Sequence, residues 1–191
     1  MKEILVETSA RHVHVNEEQF KVLFGKDANL ESRAPLSQPG QYVSTSRVDI
    51  VGPKKMIAGV SILGPYRKNA QVEVSATDAR TLGVVPPVRE SGNTIGSAPI
   101  KIVGPKGELD LEEGCIIAKR HIHMTPKDAE EFGVKNGDVV KLDIKTPERS
   151  LTFGDVVVRV REDFALACHL DTDEANAAGF AVCPNYGKLI K

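Results

Sequence analysis

Lys119-Arg120-His121-Ile122-His123-Met124 is the stretch that decides how the chain is read, and Arg11-His12-Val13-His14-Val15 echoes it near the start. These two Arg-His-x-His segments hold four of the five histidines; the fifth is His169. In a β-strand, residues i and i+2 point to one face and lie ~6.5–7 Å apart along the chain. Each segment can therefore offer two imidazoles in one direction, as a metal ion requires. Two such pairs predict one metal centre, or two adjacent ones, built from both halves of the chain.

Each pair runs into a helix start, and that start recurs. Ser75 to Val84, Thr125 to Val134 and Asp171 to Phe180 share one ten-residue pattern. A Ser, Thr or Asp N-cap is followed three residues on by an acid, then by a short helix and a Gly at its C-terminal end, which is a capping box. Asn16 to Gly25 is a looser fourth copy. The residue two before each N-cap is His14, Glu73, His123 and His169 in turn. Four side chains at one local position, three His and one Glu, are good zinc ligands. A single His-x-His is more often a pair of hydrogen-bonded strand residues. Two copies, each after Arg and before a capped helix, favour a metal site.

Around these segments the chain reads as short strands. Glu3 to Thr8 opens it, and 26–45 is a polar loop or small hairpin. Strands follow at Arg47–Val51, Met56–Leu63 and Gln71–Val74, with Gly52-Pro53 and Gly64-Pro65 as turns. Ala98–Val103 and Glu108–Leu111 flank the hairpin signal Gly104-Pro105-Lys106-Gly107, and Asp110, Glu112 and Glu113 read as a charged turn before Gly114–Lys119. The last third repeats the style with Val139–Ile144, Leu151–Val160 and Phe164–Leu170. The expected fold class is mainly β: two β-barrels capped by short α-helices.

Composition excludes several function classes. The 191 residues are 41% apolar and 27% charged, with a net charge of −1. No global field draws the chain to nucleic acid or an anionic membrane. An anionic substrate must be held by local basic groups. No apolar run is long enough to span a bilayer and no signal-peptide pattern is present, so a cytoplasmic protein is expected. Cys115, Cys168 and Cys183 are too widely spaced for a disulfide framework or a zinc knuckle and read as reduced, mostly buried thiols. Walker, GxGxxG and GxSxG signatures are missing, against nucleotide hydrolysis, dinucleotide redox and serine-esterase chemistry. Pro65-Tyr66-Arg67-Lys68 is a basic turn, in which Arg67 can grip a phosphate in bidentate fashion. Glu90-Ser91-Gly92-Asn93 can add a hydroxyl and backbone amides to the same anion.

Arg11-His12-Val13-His14, Pro35-Leu36-Ser37-Gln38-Pro39-Gly40-Gln41, Leu63-Gly64-Pro65-Tyr66-Arg67, Arg89-Glu90-Ser91-Gly92 and Lys119 to Met124 together resemble the phosphate propanoyltransferase (phosphotransacylase) family of the propanediol-utilisation type. The resemblance covers essentially the whole chain. It implies reversible transfer of a short acyl group, propanoyl or acetyl, between coenzyme A and phosphate, with an acyl phosphate as the other partner. It implies one barrel from residues 1–10 with 119–191 and a second from 11–118, carrying a small insertion at about 26–45, with the site at their interface. Two zinc ions per chain are implied, one on His12, His14 and Glu73, the other on His121, His123 and His169. Arg67 resembles the family's phosphate-binding, catalytic arginine, with Ser91 as helper. Ser9, Leu63, His169 and Asn176 resemble positions that contact coenzyme A. The chain departs from the pattern at Ser61, where a basic residue near coenzyme A is expected. The family's microcompartment members often carry an N-terminal extension; its lack here argues against encapsulation. Nucleic-acid and membrane partners are not expected, and a homo-oligomer stays open. Two other classes compete: a dizinc acyl-CoA thioesterase using the same ligands, and a non-catalytic barrel module. Arg11 and Arg120 have no role assigned.

Overall fold

The computed structural model describes residues 2–180 and 185–191. The chain divides into two compact units. A terminal unit comprises the chain up to Ser9, Ser37–Pro39 and Lys119–Lys191; a central unit comprises Ala10–Leu36 and Gly40–Ala118. Strand β1 (Ile4–Ser9) opens the terminal unit. The central unit then runs β2 (His12–His14), α1 (Glu17–Phe24), β3 (Ser32–Pro35), β4 (Tyr42–Val51), β5 (Met56–Gly64), β6 (Gln71–Glu73), α2 (Ala76–Leu82), β7 (Val88–Arg89), β8 (Ala98–Val103) and β9 (Glu108–Ala118). The terminal unit resumes with β10 (His121–Met124), α3 (Pro126–Phe132), β11 (Val139–Ile144), β12 (Leu151–Val160), β13 (Ala167–Asp171), α4 (Thr172–Ala177) and β14 (Asn185–Ile190).

Both units are closed six-stranded barrels with short helices, the fold class expected from the strand-and-turn pattern. In the terminal unit the ring is β1-β13-β10-β12-β11-β14, and β14 pairs back onto β1. In the central unit β4-β5-β2-β6-β9 closes through β8, which pairs with both β9 and β4; β3 and β7 flank the ring.

The rings share one plan. Strand β2 lies parallel to β5 and antiparallel to β6; β10 lies parallel to β12 and antiparallel to β13. Strand β6 is parallel to β9, as β13 is to β1. The order β2-α1-β4-β5-β6-α2-β8-β9 thus returns as β10-α3-β11-β12-β13-α4-β14-β1. The final strand of the second copy comes from the start of the chain. Closure matters because an open edge strand leaves a row of unpaired amides and carbonyls.

Local chemistry starts and stops each helix. Asn16, Ser75, Thr125 and Asp171 are extended N-caps whose side chains accept from the N3 amide. In return, the N3 side chains of Gln19, Asp78, Asp128 and Glu174 accept from the N-cap amides. Each box satisfies two amides that the helix cannot, and such a cap contributes about 1 kcal/mol. At the other end, the carbonyls of Leu23 and Leu82 accept from Lys106 N and Lys54 N, both at 2.9 Å. These donors sit in the Gly104-Pro105 and Gly52-Pro53 turns. A Cβ on Gly52 would stand 2.3 Å from Leu82 O, and one on Gly104 2.5 Å from Leu23 O. Only glycine allows the turn to come close enough to cap the helix.

The strand period sorts the histidine segments. Val13 is fully buried in the central core with Val15, Phe20, Leu23, Ile62 and Val72. Ile122 and Met124 are fully buried in the terminal core with Ile4, Val6, Leu142, Val158 and Cys168. Burying each such side chain contributes about 1.5–3 kcal/mol. A one-residue slip would exchange Val13 for imidazoles in the core, so apolar burial sets the register that turns His12 and His14 to the opposite face.

One stretch differs from expectation. Asp110, Glu112 and Glu113 lie within the continuous strand β9, not in a turn between two strands. The pairing with β8 jumps from Cys115↔Ala98 to Leu111↔Ile100. A bulge at Gly114, whose φ of 156° is positive, takes up the extra residues. Residues 26–45 form a hairpin, with β3 paired to β4. Cys115 and Cys168 are free and buried, as expected of core thiols; Cys183 lies outside the described residues. Among the described residues no helix is long and apolar enough to cross a membrane.

Candidate metal centres

In the central unit, His12 stands opposite Glu73 and His14 opposite Gln71 across the β2–β6 ladder. His12, His14 and Glu73 are all buried, with ligand atoms within 4.8 Å of one another. His12 Nδ1 lies 2.8 Å from Ala10 O and His14 Nδ1 3.3 Å from Leu63 O. Those carbonyls select the Nδ1–H tautomers, which leave Nε2 of each ring as a lone-pair donor. His12 Nε2 faces Glu73 Oε2 at 3.5 Å. Two ligands of a tetrahedral zinc, each ~2.0–2.1 Å from the ion, stand at about that separation. The buried His14 Nε2 has no hydrogen-bond partner among the described residues. A polar atom left this way is costly, and a metal ion would satisfy it.

Charge at this cluster is set by its neighbours. Burial works against ionised Glu73, but the His12 ring, the lesser pull of His14 and the Ser91 hydroxyl outweigh it and hold the carboxyl far below the usual range. Burial likewise opposes a charged His12, yet Glu73 raises its pKa above the ordinary value. His14 goes the other way: burial first, then the charges of His12 and Arg67, push it well down.

A hydrogen-bond network ties Glu73 to the anticipated anion site. Arg67 Nη1 donates to Ser91 Oγ at 2.9 Å, and Ser91 Oγ donates to Glu73 Oε1 at 2.6 Å. Gln71 Nε2 donates to Glu73 Oε1 at 2.6 Å and to Ser91 Oγ at 3.0 Å, while Gln71 Oε1 accepts from Gly92 N at 2.7 Å. Arg67 and Ser91 are thus brought together beside the cluster. Sequence reasoning missed Gln71. Its signal was the i, i+2 spacing to Glu73, which places both on one strand face.

In the terminal unit, His121 stands opposite His169 and His123 opposite Ala167 across the β10–β13 ladder. His121, His123 and His169 again bring their ligand atoms within 4.8 Å. Ring centroids are 4.6 Å apart for His121–His123, 5.2 Å for His121–His169 and 4.9 Å for His123–His169. His121 Nδ1 lies 2.8 Å from Lys119 O, as His12 Nδ1 does from Ala10 O. Neither ring nitrogen of His123 has a hydrogen-bond partner among the described residues. Burial, then the charges of His121 and His169, drive the His123 pKa down to about 2, which keeps its lone pair available. Glu7, paired with His169 in the β1–β13 register, brings Oε2 to 3.7 Å from His169 Nδ1 and accepts a hydrogen bond from Ser37 Oγ.

The two unassigned arginines have matching partners. Arg11 Nε lies 3.2 Å from Asp78 Oδ1, and Arg120 Nε lies 2.7 Å from Glu174 Oε1. Asp78 and Glu174 are the N3 acids of the capping boxes on α2 and α4. In each unit, the arginine before the histidine pair is pinned to the helix that follows the strand bearing the third cluster residue, Glu73 or His169. The ion pair holds both strands of the cluster to one helix start.

The remaining anticipated residues fall in both units. Ser9 ends β1, half-buried and paired in register with Asp171, while Asn176 is exposed on α4. Leu63 lies on β5, its carbonyl taken by His14. At Ser61 the neighbouring strand supplies the basic group that the position lacks: Arg47 Nη1 donates to Ser61 Oγ at 2.7 Å and to Gly59 O at 2.9 Å. Burial pushes the Cys115 thiol up to about 12 and the Cys168 thiol higher still, so neither is poised as a nucleophile.

Comparison with known proteins places the chain in a family. Residues 5–181 match the family model described as phosphate propanoyltransferase. The chain is 56% identical over 175 residues to a phosphate propanoyltransferase of Thermotoga maritima, covering 92% of this chain and 83% of that protein. It is 49% identical over 189 residues to one of Alkaliphilus metalliredigens (99% and 88% covered) and 51% identical over 175 residues to one of Listeria monocytogenes (92% and 82% covered). With a family match over nearly all of its length, which takes in both histidine-bearing strands and the arginine turn, the chain belongs to the phosphate propanoyltransferase family.

Proposed function

We propose that the protein is a phosphate acyltransferase that moves a short acyl group, propanoyl or acetyl, reversibly between coenzyme A and inorganic phosphate, using two zinc ions. The observation that carries this reading is the pair of three-residue clusters, one per unit, together with the Arg67–Ser91–Glu73 network beside one of them. His12, His14 and Glu73 would hold one ion; His121, His123 and His169 would hold the other. Nitrogen and carboxylate donors at this spacing suit zinc, and the partnerless His14 and His123 nitrogens fit a bound ion. The ions would supply Lewis acidity for the thioester carbonyl and for the departing thiolate.

The chain's own residues do the positioning. Arg67 holds the phosphate through a charge-assisted, two-pronged contact and presents one oxygen to the thioester carbonyl. Ser91, held by Glu73, keeps the guanidinium in place beside the anion, and its hydroxyl turns to that anion only by leaving Glu73. Attack forms the new C–O bond; collapse breaks the C–S bond, giving acyl phosphate and the coenzyme A thiolate. No acyl-enzyme is needed, consistent with the raised thiol pKa values of Cys115 and Cys168. Coenzyme A contacts are assigned to Ser9, Leu63, His169 and Asn176.

The test combines metal content with release of coenzyme A from acetyl- and propanoyl-CoA, with and without phosphate. Two zinc per chain and phosphate-dependent release are expected. Release without phosphate would identify a thioesterase instead, and protein without stoichiometric metal would leave a barrel module.

A further inference from the structure

The terminal unit carries a second arginine-rich corner that the reaction above does not use. On β12, Arg159 is paired in register with His123 on β10, so the two side chains share one face. Two residues on, Arg161 begins the loop to β13. Both guanidinium groups lie over the Phe164 ring, with Cζ 6.0 Å and 4.8 Å from its centroid. Phe164 in turn stacks on His123, centroid to centroid 4.0 Å. Arg161 is paired with Asp163, with Nε to Oδ1 at 2.9 Å and Nη2 to Oδ2 at 2.6 Å, so its charge already has a carboxylate partner. Arg159 is half-buried, and its side chain makes no hydrogen bond and no ion pair among the described residues.

A half-buried guanidinium with unspent donors, beside a cluster suited to a metal ion, is electrostatically costly by itself. An anion offsets a guanidinium charge placed this way. The central unit has the same arrangement: Arg67 N bonds Val15 O at 2.9 Å, and Arg161 N bonds Met124 O at 3.1 Å, each acceptor following the second histidine of its pair. Arginines therefore enter both units beside the second histidine, but in the terminal unit the one whose side chain has no carboxylate partner among the described residues is Arg159.

We infer that Arg159, backed by the Phe164 ring, is an anion-binding residue of the terminal unit that takes a phosphoryl oxygen of a ligand. This rests on the acyltransferase reading, which brings two sources of that chemistry: inorganic phosphate and the phosphate groups of coenzyme A.

The test measures binding to the metal-loaded protein by calorimetry, for coenzyme A, for pantetheine, which lacks phosphate groups, and for inorganic phosphate. Arg159→Met keeps an apolar stem against Phe164 and removes the charge; Arg159→Lys keeps the charge without the fork. For Arg159→Met, affinity is expected to fall about tenfold or more. Loss for coenzyme A alone, with pantetheine unchanged, assigns the carrier's phosphates; loss for inorganic phosphate alone assigns the substrate anion. Arg159→Lys should fall between wild type and Arg159→Met. Unchanged affinity for both phosphoryl ligands overturns the inference, as does an equal loss of pantetheine binding. A wild type that binds these ligands yet shows no phosphate-dependent release of coenzyme A defeats the acyltransferase reading alone.

Discussion

The two units use one strand plan to build clusters of different charge. In the central unit the third ligand candidate is Glu73, a carboxylate inside the cluster; in the terminal unit the same ladder position holds His169. The terminal unit has its carboxylate one step back, in Glu7 behind His169 Nδ1. Each cluster therefore has one nearby negative charge, direct in one case and relayed through an imidazole in the other. Strand pairing decides where a candidate ligand stands, and the side chain placed there decides how much charge would reach a bound ion. A cluster of neutral imidazoles leaves more of the ion's charge unneutralised, which suits it to a departing thiolate or a polarised carbonyl.

Removing a ligand candidate should give the largest break in this symmetry. His123→Ala is expected to lose one of two zinc equivalents and to cut phosphate-dependent turnover by more than about a hundredfold, beyond the usual cost of outer-sphere changes. Full zinc occupancy in that variant, measured by elemental analysis, would count against ligation. Arg67→Ala should lower turnover by about a hundredfold or more while leaving both zinc ions bound, as expected for loss of a charge-stabilising contact. Retained activity in steady-state assays would remove Arg67 from phosphate binding.

Glu7→Gln isolates the difference in charge placement. Metal affinity at the terminal cluster should drop about tenfold to a hundredfold, with the central cluster unaffected. Chelator competition measures it, and equal loss at both clusters would refute the relay.

The metal-free protein offers a pH test of the same contrast. His123 and His14 have lowered folded pKa values, so below the ordinary imidazole value the unfolded chain binds protons that they refuse, and stability falls with acid. His12 has a raised folded value; its contribution is fully present below the unfolded pKa and is lost as pH rises through the folded one. Imidazole NMR shifts should therefore show His12 protonating first and His14 and His123 staying neutral far into acid. The reverse order would reject the charge assignment.

The smallest effect concerns the arginine pins. Arg120→Gln should cost about 1 kcal/mol of stability and Arg11→Gln less, because the Arg11–Asp78 pair is longer and its arginine more exposed. Denaturant midpoints, with Glu174→Gln completing a double-mutant cycle, measure the coupling. Additive losses would mean that the pair does not couple.

Much of each cluster could be read from neighbouring residues. His-x-His on a strand and the four capping boxes each depend on a few consecutive side chains, so local sequence exposed them. Position before an N-cap also picked out Glu73 and His169 without reference to distant strands. Glu7 and the partners of Arg11 and Arg120 escaped, because each owes its place to a residue on another strand or helix, whereas Gln71 was legible from its i, i+2 spacing to Glu73. The charged stretch Asp110 to Glu113 misled for a related reason. Its polarity suggested a turn, while pairing with β8 and the bulge at Gly114 kept it in a strand.

By itself, the sequence determined the alternation that turns the histidines away from Val13 and Ile122, the helix caps, and the glycine turns, since these arise from interactions within a few residues. Only the tertiary structure decided that β1 closes the terminal ring in the place that β9 fills in the central one. It alone set His12 against Glu73 and His121 against His169, and put Glu7 behind His169. Those pairings join residues far apart in the chain, where any of several apolar strands offers the same hydrogen-bonding edge. The choice among them falls to which closure buries both cores at once.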